Sequence, residues 1–295
     1  MRVIALVTGQ NGQVARSLAA LATQHVEFVT VGRPELDITD AASVARVIER
    51  VGPAVVVNPA AYTAVDKAES EPDAALAVNH IGARNVAEAA AAANLPVIHF
   101  STDYVFAGNK QDRYGEDDRT GPTGVYGRSK LAGEAAVAAA NPAHVILRTA
   151  WVYSPYGANF LKTMLRLAAE RDVLRVVGDQ QGTPTYAPDI AAGVAAVIDR
   201  IVADPQGLDW RGVFHMVAQG ETDWAEFAET IFAVSSRLGG PSAAVERITT
   251  AEYPTPARRP ANSRLVTAKL RRVFGHELPD WRNGVERCLT AINAG

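Results

Sequence analysis

The stretch Val3-Ile4-Ala5-Leu6-Val7-Thr8-Gly9-Gln10-Asn11-Gly12-Gln13-Val14-Ala15 decides the fold class. Val3–Val7 is an apolar, β-branched run that reads as a strand. A turn holding Gly9 and Gly12 follows, and Gln13–Thr23 reads as a helix with Val14, Leu18 and Leu21 on one face. Glycines in such a turn let the backbone bend tightly and approach a pyrophosphate, while the helix N-terminus offers free N–H groups to the anion. The spacing is G-x-x-G-x-x-A, with Ala15 at the third small position. It departs from G-x-G-x-x-G, and an ordinary strand-to-helix turn is the plain alternative.

Outward from this stretch the same unit repeats. Val26–Val31 is a second strand and Ala41–Val51 a helix capped by Thr39 or Asp40. Ala54–Val57 is a third strand, followed by a long helix from about Asp73 to Ala93. Val97–Phe100 and Val145–Leu147 are further strands, with a helix over Thr123–Ala140 between them. These strands are apolar throughout rather than alternating, the sign of a parallel sheet covered on both faces. Repeated β–α units of this kind predict an α/β, doubly wound, Rossmann-like parallel sheet. After about Trp151 proline and glycine become frequent. Helices at Phe160–Glu170, Asp189–Val202, Thr222–Val234 and Trp281–Ile292 alternate with strand-like runs at Leu174–Val177 and Val213–Met216. The expected division is a dinucleotide-binding domain over 1–150, with a segment near 185–215 returning to it. Residues 151–295 then form mainly a smaller, mixed α/β substrate-binding part.

Of the 295 residues 48% are apolar and 21% charged, which excludes a disordered chain. A formal net charge of -3 provides no global positive field for nucleic acid or anionic lipid. No apolar run approaches the ~20 residues of a membrane span, and Met1–Val7 is too short for a signal peptide. One cysteine, Cys288, excludes an internal disulfide and a multi-cysteine zinc site and fits a reducing, cytoplasmic setting. The six histidines show no metal-ligand spacing, so no metal is expected.

Two further signals carry chemistry. In Tyr126-Gly127-Arg128-Ser129-Lys130 the tyrosine and lysine stand four apart, on one helix face. An ammonium beside the phenol is expected to pull its pKa down toward working pH, making Tyr126 a general acid for an alkoxide forming at a carbonyl carbon. Taken alone, an exposed chance pair is the plainer alternative. Phe100-Ser101-Thr102-Asp103-Tyr104-Val105-Phe106 ends the fourth strand, at the edge where open α/β sheets bind ligands. A hydroxyl there can bond the substrate oxygen beside Tyr126; the alternative is a Ser/Thr turn capped by Asp103.

The glycine turn, Asn79-His80-Ile81-Gly82, the Phe100–Phe106 stretch and Tyr126…Lys130 together resemble an extended short-chain dehydrogenase/reductase. Three further motifs, Asn58-Pro59-Ala60-Ala61-Tyr62-Thr63-Ala64-Val65-Asp66-Lys67-Ala68-Glu69, Arg148-Thr149-Ala150-Trp151-Val152-Tyr153 and Pro254-Thr255-Pro256-Ala257-Arg258-Arg259-Pro260, resemble the dTDP-4-dehydrorhamnose reductase family along essentially the whole chain. The resemblance implies reduction of dTDP-4-dehydro-L-rhamnose to dTDP-L-rhamnose, a precursor of cell-surface polysaccharide. It makes Tyr126 the proton donor, Lys130 the holder of the nicotinamide ribose, and Thr102 the group that steadies the C4 oxygen. Gly9, Gly12, Gln13 and Val14 would line the pyrophosphate, Asp37 and Ile38 would flank the adenine, and Ala61, Tyr62 and Thr63 would lie along the cofactor. Asp103, Tyr104 and Trp151 would meet the substrate, an indole being well suited to a sugar or base. Arg258 and Arg259 suit a nucleotide diphosphate, with a solvated basic loop as the equal alternative, and Lys162 is structural or surface. Some family members bind Mg²⁺ through glutamates of facing subunits, whose positions have no match here.

NADPH is the expected cofactor, with NADH a second candidate. Arg33 follows the second strand where the adenosine ribose would lie, suited to a 2′-phosphate, and the nearest acid in that loop is Glu35, beyond Pro34. The expected partner is the nucleotide-sugar substrate, with no nucleic acid or membrane; the alanine-rich face Ala87–Ala91 offers itself to a homodimer. Two alternatives stand beside the reductase. One is a nucleotide-sugar epimerase or dehydratase, although a dehydratase needs a glutamate after the aspartate and Tyr104 follows Asp103 here. The other is a non-catalytic regulatory subunit like the β subunit of methionine adenosyltransferase, which fold alone does not separate from an enzyme. Intact Thr102, Tyr126 and Lys130 favour the enzyme.

Overall fold

A computed structural model describes residues 2–294; Met1 and Gly295, the outer ends of the expected division, lie outside the described residues. The chain begins β1 (Val3–Thr8), α1 (Gln13–Ala20), β2 (Val26–Val31), α2 (Ala41–Val51), β3 (Val55–Asn58), α3 (Val65–Ala68), α4 (Pro72–Leu76), a π-helical turn over Ala77–Gly82, and α5 (Ala83–Ala92). Next come β4 (Val97–Thr102), a 3₁₀ turn over Asp103–Val105, α6 (Val125–Ala140), β5 (His144–Thr149), β6 (Val152–Tyr153), α7 (Phe160–Ala168), β7 (Val173–Val177), β8 (Gln181–Gly182) and β9 (Thr185–Tyr186). The remainder is α8 (Ala187–Ala203), β10 (Gly212–His215), β11 (Thr222–Asp223), α9 (Trp224–Arg237), β12 (Ala244–Ile248), α10 (Ala268–Phe274) and α11 (Trp281–Ala294).

Six strands form one parallel sheet in the order β10-β5-β4-β3-β1-β2. Strand alternation divides its apolar residues between two layers. Ala5, Val7, Val55 and Leu147 face one core with Ala15 and Leu18 of α1 and Ile190, Val194 and Ile198 of α8. Leu6, Val56, Val97 and Ile146 face the other, with Val44 and Val47 of α2, Val86 and Ala90 of α5 and Val137 of α6. At about 25 cal/mol per Å² of apolar surface removed from water, these two layers are the main stabilising term of this half. The sequence order of strands reverses between β1 and β3, and doubly wound sheets bind ligands outside that point.

β10 joins this sheet beside β5, and Leu270 and Phe274 of α10 enter the α1–α8 core. A third core, from α7, α9, α11 and β7, gathers Leu161, Phe227, Ile231, Trp281 and Leu289.

Some expectations need correction. The long helix over 73–93 is broken by the π turn at Ala77–Gly82, whose extra residue swings Asn79 inward. The Asn79 amide then bonds both the N–H and C=O of Tyr62 (2.8 and 3.0 Å) and the Ser129 hydroxyl (2.9 Å), a local need that overrides helix regularity. The Ala87–Ala91 face is not free for a dimer: Ala87 and Ala90 are fully buried in the α2–α5–α6 layer. The short elements α3, α10 and β12 stood in no expectation; β12 pairs in parallel with β7, and with only Ile248 buried it offers no apolar run to read.

Candidate active site

Beyond the carboxyl ends of β1, β3, β4 and β5 lies a cleft of about 740 Å³. It is lined by Gly9, Gly12, Gln13 and Val14 of the glycine turn, by Arg33, Asp37 and Ile38 after β2, and by Ala61 and Thr63 after β3. Thr102, Asp103, Tyr104, Tyr126, Lys130, Trp151 and Arg259 close it. Two expected residues are not among its walls. Tyr62 has its hydroxyl drawn off to the Glu71 carboxylate at 2.9 Å, and the exposed Arg258 stands outside.

At the glycine turn, Gly9 takes φ +81°, and a Cβ there would press on Ala60 at 3.1 Å. No side chain caps α1, so the N–H groups of its first turn remain for an anion in the cleft. A Cβ on Gly12 would meet only the Gly9 carbonyl oxygen, at 3.6 Å. An uncapped helix end behind such an open approach fits a dinucleotide diphosphate. At the adenosine end, the exposed Arg33 lies 3.8 Å from Asp37. Glu35 is instead paired with Arg50 and takes no part in the cleft wall. The acid nearest Arg33 in space is therefore Asp37, held below the usual carboxylate range chiefly by the N–H and hydroxyl of Thr39.

Helix α6 presents Tyr126, Lys130 and Glu134 at successive four-residue steps. Lys130 is 2% exposed and donates through Nζ to the Phe100 carbonyl at 2.5 Å. Burial pushes its pKa down to about 8, with the Glu134 charge opposing. The expected lowering of Tyr126 does not hold here. Burial pushes the phenol well above its ordinary value against a hydrogen bond with Thr102, while the Lys130 ammonium is directed to the strand carbonyl. Tyr126 thus holds its proton at neutral pH, the form a donor needs.

The Thr102 hydroxyl donates to Asp103 at 2.9 Å, and burial lifts the Asp103 carboxyl to about 6. Tyr104 meets the Tyr126 ring edge-on, centroids 5.6 Å apart, and its hydroxyl accepts from Arg259 at 3.0 Å. Asp66 holds the other arm of that guanidinium at 2.6 Å. Beneath the site, Glu134 accepts two hydrogen bonds from Arg148 (2.9 and 2.7 Å) and one from the Ser101 hydroxyl at 2.5 Å.

The far wall is aromatic. Trp151 sits at φ +48°, a strained conformation for a large side chain and one that clusters at functional sites. Its indole stacks on Trp224 with centroids 3.6 Å apart, and a Cβ on Gly182 would come within 2.4 Å of it. Trp224 was absent from the expected set, and only its aromatic character hinted at it. Lys162 donates to the Pro155 carbonyl, a structural contact. Among the described residues no three His, Cys, Asp or Glu side chains group closely enough to hold a metal ion. None of their helices is long and apolar enough to cross a membrane.

A family model described as the RmlD substrate binding domain matches residues 1–294. The dTDP-4-dehydrorhamnose reductase of Sinorhizobium fredii is 54% identical over 286 residues, covering 97% of this chain and 96% of that protein. A dTDP-4-dehydrorhamnose reductase structure from Clostridium acetobutylicum superposes with TM-score 0.91 at 37% identity, over 99% of this chain and 100% of that one. The Bacillus anthracis reductase, solved in complex with NADP, superposes with TM-score 0.90 at 35% identity over the same shares. Family model, sequence identity and fold agree along nearly the full length, and the chain belongs to the dTDP-4-dehydrorhamnose reductase family.

Proposed function

We propose that this chain reduces the C4 carbonyl of dTDP-4-dehydro-L-rhamnose to give dTDP-L-rhamnose, with NADPH as the cofactor and the cytoplasm as its setting. The observation that carries this is the convergence of Thr102, Tyr126 and Lys130 in one cleft with an uncapped glycine-turn helix. When bound, the reduced nicotinamide supplies the hydride for the carbonyl carbon. Tyr126 gives its proton to the C4 oxygen, and the Thr102 hydroxyl, turning from Asp103, donates to that same oxygen. The Lys130 ammonium holds the nicotinamide ribose and stabilises the phenolate left behind. The Trp151–Trp224 stack packs against the sugar or thymine. Arg259, aimed by Asp66, takes a diphosphate oxygen. Residues 1–150 form the dinucleotide-binding domain, with the segment near 185–215 returning to it, and 151–295 is mainly the part that binds the nucleotide sugar.

Purified protein mixed with NADPH and dTDP-4-dehydro-L-rhamnose should oxidise the cofactor, seen as loss of nicotinamide absorbance. With dTDP-glucose and NAD it should form no 4-keto-6-deoxy product, because Tyr104 stands where a dehydratase needs a glutamate. A folded preparation that binds NADPH and never oxidises it with the first substrate, or one that dehydrates the second, overturns the proposal.

Cofactor choice has its own test. An exposed charge-assisted contact lies near the low end of about 1.5–3 kcal/mol, or roughly tenfold in kcat/KM. Arg33→Ala should therefore lower kcat/KM for NADPH by about tenfold and leave NADH within about twofold. An unchanged ratio between the two cofactors would mean that Arg33 does not read the 2′-phosphate.

A further inference from the structure

Gln13 opens α1 directly after Gly12, so its backbone belongs to the turn proposed for the diphosphate. Its side chain turns the other way. The amide nitrogen donates to the Val152 carbonyl at 3.2 Å, and the amide oxygen accepts from the Ser154 hydroxyl at 2.8 Å and the Asn159 amide at 3.0 Å. All three partners lie in the stretch that runs from Trp151 to α7.

Each partner is itself a fixed point. Ser154 is fully buried, and its hydroxyl also accepts the Tyr156 N–H at 3.1 Å. Asn159 caps α7 by accepting the Lys162 N–H at 3.1 Å and donates to the Ser154 carbonyl at 2.8 Å. Val152 follows Trp151, whose strained backbone holds the indole on Trp224. The amide oxygen is filled by two donors while the nitrogen serves an acceptor. Glutamate would set a charge against the Val152 carbonyl, and an apolar side chain would leave three polar groups without this partner.

We infer that Gln13 is a positioning residue that couples the two ligands: its backbone meets the dinucleotide diphosphate while its side chain holds the wall that carries Trp151 for the nucleotide sugar. The inference rests on the assignment of this cleft to those two ligands. Fixing the first turn of α1 fixes the root of the Gln13 side chain, and the arrangement of 151–159 that binds the sugar nucleotide then loses a competitor. By linkage the effect is reciprocal, each ligand raising the affinity of the other by one factor.

Calorimetric titration reads this directly, with NADP⁺ and dTDP as the probes, each alone and each in the presence of saturating partner. Wild-type protein should bind dTDP at least about fivefold more tightly with NADP⁺ present. Gln13→Ala should bring that factor to within about twofold of unity while still binding both probes. Ser154→Ala, which leaves Gln13 and the glycine turn in place, should lower the factor in the same direction, and it decides the matter if the first variant does not fold. A wild-type protein that binds both probes independently, or variants that keep the full factor, would overturn the inference alone. Failure of the wild type to bind either probe overturns it together with the assignment of the cleft.

Discussion

Replacing Tyr126 with Phe lowers kcat by about 10²–10⁴-fold and leaves cofactor affinity near that of the wild type. The ring stays, so the edge-on contact with Tyr104 and the packing of α6 are kept, and only the hydroxyl is lost. Its surroundings push the Tyr126 pKa upward, so the phenol is protonated throughout the neutral range and delivers its proton only as charge develops on the C4 oxygen. The Lys130 ammonium matters most after that transfer. It sits one helical turn along the same face, and turning from the Phe100 carbonyl would bring it toward the new phenolate. The effect should fall on kcat and kcat/KM together, because the proton is shared only in the transition state. Steady-state kinetics with NADPH, beside direct NADPH binding, checks both halves. A variant with most of its wild-type kcat would assign the proton to another group, and the buried Asp103, lifted to about 6, would be the first to examine.

The parts of the site legible in the sequence were those with local causes. Gly9, Gly12 and α1 lie within a dozen residues of one another, and tight turn, free N–H groups and strand all follow from that short stretch. Tyr126 and Lys130 are readable because helix geometry alone puts four-residue neighbours on one face. Trp224 carried no signal beyond its aromatic character because it meets Trp151 only after α9 folds back through the core of α7, α9 and α11. Asp66 likewise gains its meaning from Arg259, a residue from the far end of the chain. Tyr62 shows the opposite failure. Its neighbours do line the cleft, but Glu71 captures its hydroxyl, and no motif reports the direction of a side chain. The protonation of Tyr126 was misjudged for a related reason. Spacing brings the ammonium near, but only the fold shows it donating to the Phe100 carbonyl within a site whose burial outweighs it.

Glu134→Ala should destabilise the fold by about 3–5 kcal/mol, a large share of the roughly 5–15 kcal/mol that holds a domain together. Glu134 and Arg148 have side chains only 6% and 5% exposed, joined by a two-armed contact across α6 and β5. Removing the carboxylate leaves a guanidinium inside the protein with only the Glu116 carbonyl, at 3.4 Å, and the Phe106 ring, 5.0 Å from its centroid, as remaining partners. It also strips the acceptor from the Ser101 hydroxyl, next to the carbonyl that Lys130 holds. The cost is therefore that of an uncompensated buried charge rather than of a lost attraction, which is what a second variant separates. Glu134→Ala with Arg148→Met removes both charges and should recover a substantial part of the loss, since no charge is then buried without a partner, while the smaller Ala keeps the packing part of the cost. Urea unfolding midpoints of the wild type, the single and the double variant measure the difference. A single variant within about 1 kcal/mol of wild type would show that water reaches Arg148 once its partner is gone. A double variant no better than the single one would place the cost in the lost packing and the Ser101 bond, not in the stranded charge.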